Sequence, residues 1–393
     1  MTARPLRVAH LTTVDSSLWY LLRPQLRAVV DDGGNAYGVS AAGPWVPLLE
    51  GDGVRHLALR SSTRGWSLLA DVKTVAELWR VLRRERFDVL HTHNPKPGLY
   101  GRVVGRLAGV PVVVNTNHGL YFTDGSGLRK VVVLALEGLA ARFSDAELVQ
   151  NEEDLTLLLR WRLNRPGRTQ LLGNGVDLTR FRPASAGRAG EAERQAAREK
   201  LGARPGQIVV GAVGRLVAEK GYPELFSAAR TLGDRYRVVA IGPDDPEKSD
   251  ALSRWQIEAA EKAGVGFLGN RDDVDLLYRG MDVFVLPSHR EGFPRAAMEA
   301  SASGVPVVTS DVRGCRQVVD DGVTGLLVPV RDPARLAAAV GALGEDPSRR
   351  ALMAAAAVER ARTHFDEGRV VDLVMATYQA VSARKGLNLS VRS

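Results

Sequence analysis

The sequence has 393 residues, of which 45% are hydrophobic and 25% charged, a composition typical of a globular protein with more than one domain. The single Cys315 excludes an intrachain disulfide and a cysteine-rich metal site, and no apolar run reaches the roughly 20 residues that a membrane span needs. The net charge of +8, concentrated in residues 1–183, has three interpretations: arginine-rich coding bias, an anionic acceptor or membrane surface, or nucleic acid.

Nucleic acid is the least favoured of these partners, because the basic clusters are not interleaved with aromatic residues as in single-strand binding surfaces. The N-terminal residues lead directly into a strand-like run without the apolar segment of a signal peptide. We therefore expect a cytoplasmic enzyme without a nucleic-acid partner, with peripheral attachment to the inner membrane face as an extension of that expectation.

Strand-like runs alternate with amphipathic stretches through the first half. The pattern predicts strands at residues 7–12, 36–40, 55–59, 89–93, 112–116 and 146–150. The loop after the first of them reads "TTVDSS" and contains no glycine. We expect Ser16 or Asp15 to cap the following helix, and Ser16 is also a candidate acceptor contact.

The fourth predicted strand ends in "LHTHNPKPG". His91 and His93 invite interpretation as metal ligands, but no third ligand is evident nearby, so we predict a structural role at the strand end and no metal. Asn94 and Lys96 follow directly and are candidate acceptor contacts.

The second half repeats the same alternation after a small, polar stretch at residues 183–206, which predicts a linker and a connecting helix. Its strands are predicted at residues 208–214, 237–241, 266–269, 283–287, 307–309 and 325–328. The chain is therefore expected to be an α/β protein with two doubly wound parallel sheets, and a ligand is expected in the cleft between them. Neither half contains the G-x-G-x-x-G of a nicotinamide enzyme.

The stretch "EGFPRAAMEA", residues 291–300, carries the main chemical signal. A helix starting near Pro294 would present the N–H groups of Arg295 and Ala296 to an anion, and Gly292 would allow close approach of a ligand. Glu299, about one turn inward, could accept hydrogen bonds from a ribose diol, and Glu291 could bind a sugar. This pattern fits a nucleoside-diphosphate sugar.

A second loop, "GRLVAEKGY", offers Arg215 and Lys220 after the first strand of the second half. Two cations at a strand end suit a leaving diphosphate, which accumulates negative charge as the sugar departs. The chain shows no D-x-D pair in a turn of the kind that would hold Mg²⁺, and "GPDDPEK" (242–248) offers only adjacent aspartates in a loop, so these cations are predicted to replace a metal.

With these motifs the sequence resembles the family 4 retaining glycosyltransferases. "EGFPRAAMEA" is similar to the family's E-x7-E signature, and "GRLVAEKG" is similar to its phosphate-binding loop. Further similarities are "NGVD" (174–177), "FLGNRDDV" (267–274) and "DGVTGLLVP" (321–329). The resemblance covers nearly the whole chain, more strongly after residue 170.

The resemblance implies a GT-B fold, in which two facing Rossmann-like domains are separated by an interdomain cleft. The first would comprise residues 1–183 with about 366–393, and the donor-binding domain residues 184–365. The resemblance also implies that His118 faces the reacting sugar, that Glu291 contacts hydroxyls of the donor sugar, and that Glu299 binds the ribose. Arg215 and Lys220 would bind the diphosphate, with the backbone from Phe293 to Ala296 on phosphate oxygens.

We therefore predict a metal-independent, retaining glycosyltransferase that needs no cofactor. It would move a hexose or N-acetylhexosamine from a nucleotide sugar, UDP-linked in preference to GDP-linked, to a hydroxyl of a glycan, a polyprenyl-diphosphate-linked acceptor or a small molecule. Cell-surface polysaccharide or glycolipid assembly is the favoured setting. A soluble natural-product acceptor, a nucleotide-sugar epimerase and a non-catalytic binding module are the alternatives. No nucleophilic carboxylate is evident on the far face of the sugar, so we expect a front-face reaction in which the leaving phosphate accepts the acceptor's proton.

Overall fold

A computed structural model describes residues 5–93, 95–120, 127–246 and 248–387, with the side chains of residues 128–130 excepted. The chain divides into two compact units. The first comprises Met1–Gly173 and Gly368–Ser393, and the second comprises Asn174–Glu367. Each unit contains one parallel sheet with helices, which confirms the prediction of two doubly wound sheets.

The first unit contains a seven-stranded sheet in the order β3-β2-β1-β4-β5-β6-β7. Its strands are β1 Arg7–Val14, β2 Asn35–Ala41, β3 Arg55–Ala58, β4 Val89–His93, β5 Val112–Asn117, β6 Ala146–Val149 and β7 Thr169–Leu171. Six of them were predicted. The edge strand β7 was missed because three residues, none of them buried, show neither alternation nor an apolar run.

The second unit contains a six-stranded sheet in the order β10-β9-β8-β11-β12-β13. Its strands are β8 Ile208–Val213, β9 Tyr236–Ile241, β10 Gly266–Phe267, β11 Val283–Leu286, β12 Val307–Ser310 and β13 Gly325–Val328. All six were predicted, since their apolar runs are flanked by glycine, proline or aspartate.

Sixteen α-helical segments connect these strands in the described residues, together with short 3₁₀ turns and a π-helical turn at Leu18–Leu22. In chain order they are α1 Asp15–Ser17, α2 Arg23–Asp31, α3 Val46–Gly51, α4 Leu68–Glu85, α5 Lys96–Leu107, α6 Leu128–Ala140, α7 Glu152–Arg160, α8 Gly187–Lys200, α9 Tyr222–Leu232, α10 Arg254–Lys262, α11 Val274–Tyr278, α12 Arg295–Ala302, α13 Arg313–Val318, α14 Pro333–Glu345, α15 Pro347–His364 and α16 Glu367–Arg384. Within the described ranges, none of these helices has the length and apolar character needed to cross a membrane.

The last helix, α16, contributes to the core of the first unit, not of the second. Val374, Met375, Tyr378 and Val381 are buried there with apolar side chains of β1, β4 and β5. The first unit is therefore assembled from both ends of the chain, with the whole second unit inserted between them.

Both sheets reverse their strand order at one point, which lies between β1 and β4 in the first unit and between β8 and β11 in the second. Connections leave in opposite directions on the two sides of such a point, so a crevice opens at the carboxyl ends of the strands. Residues immediately after β1, β4, β8 and β11 are thus the first place to look for a site in each unit.

One prediction about helix starts is wrong. Neither Ser16 nor Asp15 caps the helix after β1, because α1 already begins at Asp15 and the preceding Val14 offers no capping side chain. The carboxylate of Asp15 instead accepts a hydrogen bond from the backbone N–H of Trp45 at 2.8 Å. Its role is to join two loops at the end of the sheet.

Candidate functional site

In the second unit, the loops that follow β8 and β11 bring Lys220 and Glu291 together. The Lys220 Nζ lies 2.6 Å from the Glu291 Oε1, and the Ser288 hydroxyl donates to the same oxygen at 2.7 Å. Only 9% of the Glu291 side chain is exposed, which strengthens its interaction with the ammonium relative to a surface pair.

Gly221 explains why the Lys220 loop approaches so closely. Its φ of +77° lies in the left-handed region, and a Cβ on it would sit 2.0 Å from the carbonyl oxygen of Pro287. Only glycine fits both constraints. The backbone N–H of His289 also donates to the Glu219 carbonyl at 2.8 Å, so the two loops are tied together on both sides of the pair.

The helix α12 begins directly after this loop. Pro294 is its N-cap and Arg295 its first residue, as expected from the sequence. Glu299 lies one turn inward, where Tyr278 donates its hydroxyl to the Oε2 at 3.2 Å and Arg295 contacts the Oε1 at 3.3 Å. Burial raises the pKa of Glu299 above its ordinary value, while Arg295 and the Tyr278 hydrogen bond oppose that shift.

The backbone between Glu291 and Pro294 is held from three directions. Gly314 in α13 packs so closely that a Cβ on it would lie 2.5 Å from the Glu291 carbonyl oxygen and 2.6 Å from that of Gly292. Asn174 donates to the carbonyl of Phe293 at 3.3 Å, and the Phe293 ring packs edge-on against Phe365. The loop is therefore a preorganised part of the unit.

Arg215 lies on the same loop as Lys220 but has a different partner. Its guanidinium is 2.5 Å from the carboxylate of Asp245, which follows β9. The two cations predicted to act together are thus held by separate carboxylates, Lys220 by Glu291 and Arg215 by Asp245.

This arrangement combines a cation, two carboxylates and the start of a helix at one strand-order reversal. The backbone N–H groups at a helix start and the Lys220 ammonium favour anions such as phosphates. The carboxylates of Glu291 and Glu299 accept hydrogen bonds from hydroxyl groups. Such a set is suited to a ligand that carries both phosphates and sugars.

The first unit places a different group at its own reversal point, where β1 and β4 pair. His10, His91 and His93 are fully or almost fully buried, and each offers a ring nitrogen within 4.8 Å of the other two. The expectation that no third possible ligand lies near His91 and His93 is therefore wrong. His10 supplies it from β1, 81 residues before its register partner His91, and the local sequence does not reveal this pairing of β1 with β4.

His118 follows β5 and joins this group. Its Nε2 lies 2.9 Å from the His93 Nδ1, and the side chain of Gln150 also hydrogen-bonds to its ring. Burial lowers the pKa of His118 to about 4 and that of His10 to about 3, and it lowers the pKa values of His91 and His93 well below their ordinary value. All four rings are therefore neutral at pH 7.

Lys96 is placed in a mainly structural setting. It is 3% exposed, donates to the carbonyls of Thr63 and Gly65 at 3.1 and 2.7 Å, and forms an ion pair with Asp71. These three acceptors use the three N–H donors of its ammonium. Ser16 is half-buried in α1 and its side chain has no hydrogen bond within the described residues, while Asn94 lies outside them.

Several residues of these sites were not anticipated from the sequence. Ser288 stands three positions before Glu291, and that spacing could have suggested it. Tyr278, Asp245, His10 and Tyr378 carry no local signal, because their partners lie far away in the sequence.

Comparison with known proteins supports one family across both units. A family model described as "Glycosyl transferase 4-like domain" matches residues 6–175, and one described as "Glycosyl transferases group 1" matches residues 193–360. Together these matches cover most of each unit.

Among curated relatives, the chain is 32% identical to the UDP-Gal:alpha-D-GlcNAc-diphosphoundecaprenol alpha-1,3-galactosyltransferase of Escherichia coli over 74% of this chain and 75% of that protein. It is also 32% identical to the D-inositol 3-phosphate glycosyltransferase of Saccharomonospora viridis, over 79% of this chain and 76% of that protein. Among solved structures, Anabaena Alr3699/HepE in complex with UDP and glucose superposes with a TM-score of 0.78 at 20% identity, covering 95% of this chain and 100% of that one. This last likeness shows a shared GT-B fold.

Proposed function

The chain belongs to the group 1 glycosyl transferases, with a glycosyl transferase 4-like first half, and from this premise we propose that it moves a hexose or N-acetylhexosamine from a UDP-sugar to an acceptor hydroxyl. That it is a glycosyltransferase follows from membership of the family. The donor, the acceptor and the course of the reaction are the proposal.

The observation that carries the proposal is the Lys220–Glu291 pair at the β8–β11 reversal, in the loop directly before α12, which carries Glu299. A UDP-sugar needs a cation near its diphosphate, hydrogen-bond acceptors for its sugar and ribose hydroxyls, and N–H donors for phosphate oxygens. We assign the diphosphate to Lys220 and the N-terminus of α12, the ribose to Glu299, and the sugar to Glu291. Arg215, which pairs with Asp245 through its Nη1, is the second cation that we assign to the diphosphate.

Departure of the sugar leaves negative charge on the diphosphate, and a positioned ammonium stabilises that charge without a metal ion. We therefore propose metal-independent transfer. Glu291 is held by Lys220 and Ser288, and hydrogen-bonded in this way it suits binding better than nucleophilic attack. Retention by a front-face reaction, with His118 contacting the sugar, completes the proposal and rests on the family resemblance.

The favoured acceptor is linked to a lipid diphosphate. The name of the Escherichia coli relative specifies such an acceptor, and the first unit carries exposed apolar and basic side chains on the same helix, α4. A soluble acceptor is the second candidate, because an equally similar relative is named as acting on D-inositol 3-phosphate. With either acceptor, the UDP-sugar would bind at the same site in the second unit.

The donor proposal is tested by calorimetric titration of UDP, GDP, ADP and dTDP into the protein with EDTA present. We expect UDP to bind and the Glu299→Ala variant to bind it at least about tenfold more weakly, the loss of one to two charge-assisted hydrogen bonds. The matched control is Glu258→Ala, an exposed helix carboxylate paired with Arg254. Binding of another base in preference to UDP would refute the donor, and binding that requires Mg²⁺ would refute metal independence.

A further inference from the structure

Six side chains of the first unit form one continuous line of hydrogen bonds through its core. The Thr116 Oγ1 lies 2.7 Å from the His91 Nε2, and the His91 Nδ1 lies 2.7 Å from the Tyr378 hydroxyl. The same hydroxyl lies 3.2 Å from the His10 Nε2. The line continues from the His10 Nδ1 to the His93 Nε2 at 3.1 Å and from the His93 Nδ1 to the His118 Nε2 at 2.9 Å.

Every histidine inside this line uses both of its ring nitrogens. A neutral imidazole has one N–H donor and one bare acceptor nitrogen, so a ring that accepts from one neighbour must donate to the other. The Tyr378 hydroxyl could also accept from both rings, but within the described residues its only partners are His91 and His10, so its buried O–H would then have no acceptor. The direction of one hydrogen bond therefore dictates the direction of all five, and the line has only two self-consistent states.

Thr116 selects between these states. Its hydroxyl is buried, and within the described residues its only hydrogen-bond partner is the His91 Nε2. If His91 donated to Thr116, the threonine O–H would have no acceptor, which costs roughly 1–3 kcal/mol for a buried donor. Thr116 therefore donates, and every hydrogen bond in the line points toward His118.

We propose that His118 is held as the neutral tautomer protonated on Nδ1, and that its positioning residues are His93, His10, Tyr378, His91 and Thr116. The Nε2 of His118 accepts from His93, which leaves its Nδ1–H as the ring's donor. The side chain of Gln150 hydrogen-bonds to this ring and is one acceptor for that proton. A sugar hydroxyl oxygen is another, and that part of the inference rests on the proposed function.

The same geometry argues against a metal ion among His10, His91 and His93. Their nitrogens lie close enough to invite one. However, the lone pair that an ion would need on the His93 Nε2 or the His10 Nε2 already accepts a hydrogen bond in the state that Thr116 selects. A metal would have to break the line at several points.

The test uses the full-length protein labelled with ¹⁵N-histidine and long-range ¹H–¹⁵N correlation spectra at pH 7.5. In the wild type we expect His118 to show a protonated Nδ1 and a bare Nε2. Tyr378→Phe removes the hydroxyl that joins His10 to His91, so the hydrogen-bond line no longer fixes the tautomer of His118. Its nitrogen shifts should then be averaged between the two tautomers. If about half of the molecules then hold the wrong tautomer, kcat/KM for the donor falls about twofold.

Ser382→Ala is the matched control, because this buried hydroxyl lies in the same helix and, among the described residues, donates only to the Tyr378 carbonyl at 2.7 Å. It should leave the His118 shifts unchanged. Thr116→Val, which preserves shape and removes the terminal donor, provides the same test should Tyr378→Phe fail to fold.

Three results would overturn the proposal. They are a wild-type His118 protonated on Nε2, a folded Tyr378→Phe protein with unaltered His118 shifts, and Co²⁺ that selectively broadens the His10, His91 and His93 signals. The spectra need neither donor nor acceptor. A protein with the expected tautomer but no binding of UDP would therefore refute the proposed function and leave the hydrogen-bond line standing.

Discussion

At the scale of single residues, Lys220 has two roles that compete. In the structure its ammonium pairs with the Glu291 carboxylate at 2.6 Å. In the proposed reaction the same ammonium stabilises the departing diphosphate. Ser288 also donates to Glu291, so the carboxylate keeps a hydrogen bond when the ammonium moves toward phosphate oxygens. A lysine suits this exchange because its long side chain and rotatable N–H donors adapt to either partner.

We expect Lys220→Met to lower kcat by about a hundredfold or more, since it removes a charge aimed at the leaving group. Initial rates with UDP-sugar and acceptor measure the effect, and circular dichroism checks the fold. Lys262→Met, at an exposed position in the last turn of α10, is the matched control and should retain full activity. A Lys220→Met enzyme within twofold of the wild type would exclude Lys220 from leaving-group stabilisation.

At the scale of elements, strands β1, β4 and β5 and helix α16 bury three neutral histidines and half-bury a fourth, His118. In the unfolded chain these histidines have a pKa near 6.5. In the folded protein their pKa values are lower, about 3 for His10 and about 4 for His118. The unfolded state therefore binds protons first as the pH falls. The stability that these histidines provide is complete above pH 6.5 and is lost progressively below it.

Each of these histidines should lower the free energy of unfolding by up to about 1.4 kcal/mol per pH unit below 6.5. Urea unfolding of the first unit at pH 7, 6 and 5 measures the slope in a range where most carboxyl groups remain ionised. In the His10→Gln variant, one fewer proton is taken up on unfolding, so the free energy of unfolding should change less steeply with pH, by up to about 1.4 kcal/mol per pH unit. A stability that is flat between pH 7 and 5 would show that the rings are charged in the folded protein.

These elements also show what the sequence could and could not predict. Apolar runs and flanking turn residues were enough for twelve strands and for the start of α12, because those signals are local. The loop with Glu291 was likewise found from contiguous residues. The pairing of β1 with β4 and the packing of α16 bring together side chains up to 368 positions apart, and no local pattern encodes that distance.

At the scale of the whole molecule, the distribution of exposed apolar side chains complements the basic charge of the first unit. Trp66, just before α4, is 61% exposed, and Leu68 and Leu69 at the start of α4 are 82% and 78% exposed. Lys73 and Arg80 are exposed along the same helix. Apolar residues with nearby cations bind the interface of anionic membranes. We therefore propose peripheral attachment through this segment.

Co-sedimentation with lipid vesicles tests this attachment. Binding should be stronger to vesicles that contain phosphatidylserine than to pure phosphatidylcholine, by about 1 kcal/mol for each cation at the surface. The double variant Leu68→Ser/Leu69→Ser should lose most of it. Leu352→Ser, 74% exposed in the wild type and located in the second unit, is the control that should not. Equal binding by all three proteins would rule out α4 as the membrane contact.

The return of α16 to the first unit has a consequence for biosynthesis. A ribosome that adds roughly 5–20 residues per second needs on the order of ten to forty seconds to make the second unit. Throughout that time the nascent first unit lacks Val374, Met375 and Tyr378, and His10 and His91 lack the hydroxyl that joins them. The second unit can therefore mature first, although it is synthesised later, while the apolar surface that α16 covers in the first unit stays exposed until translation ends.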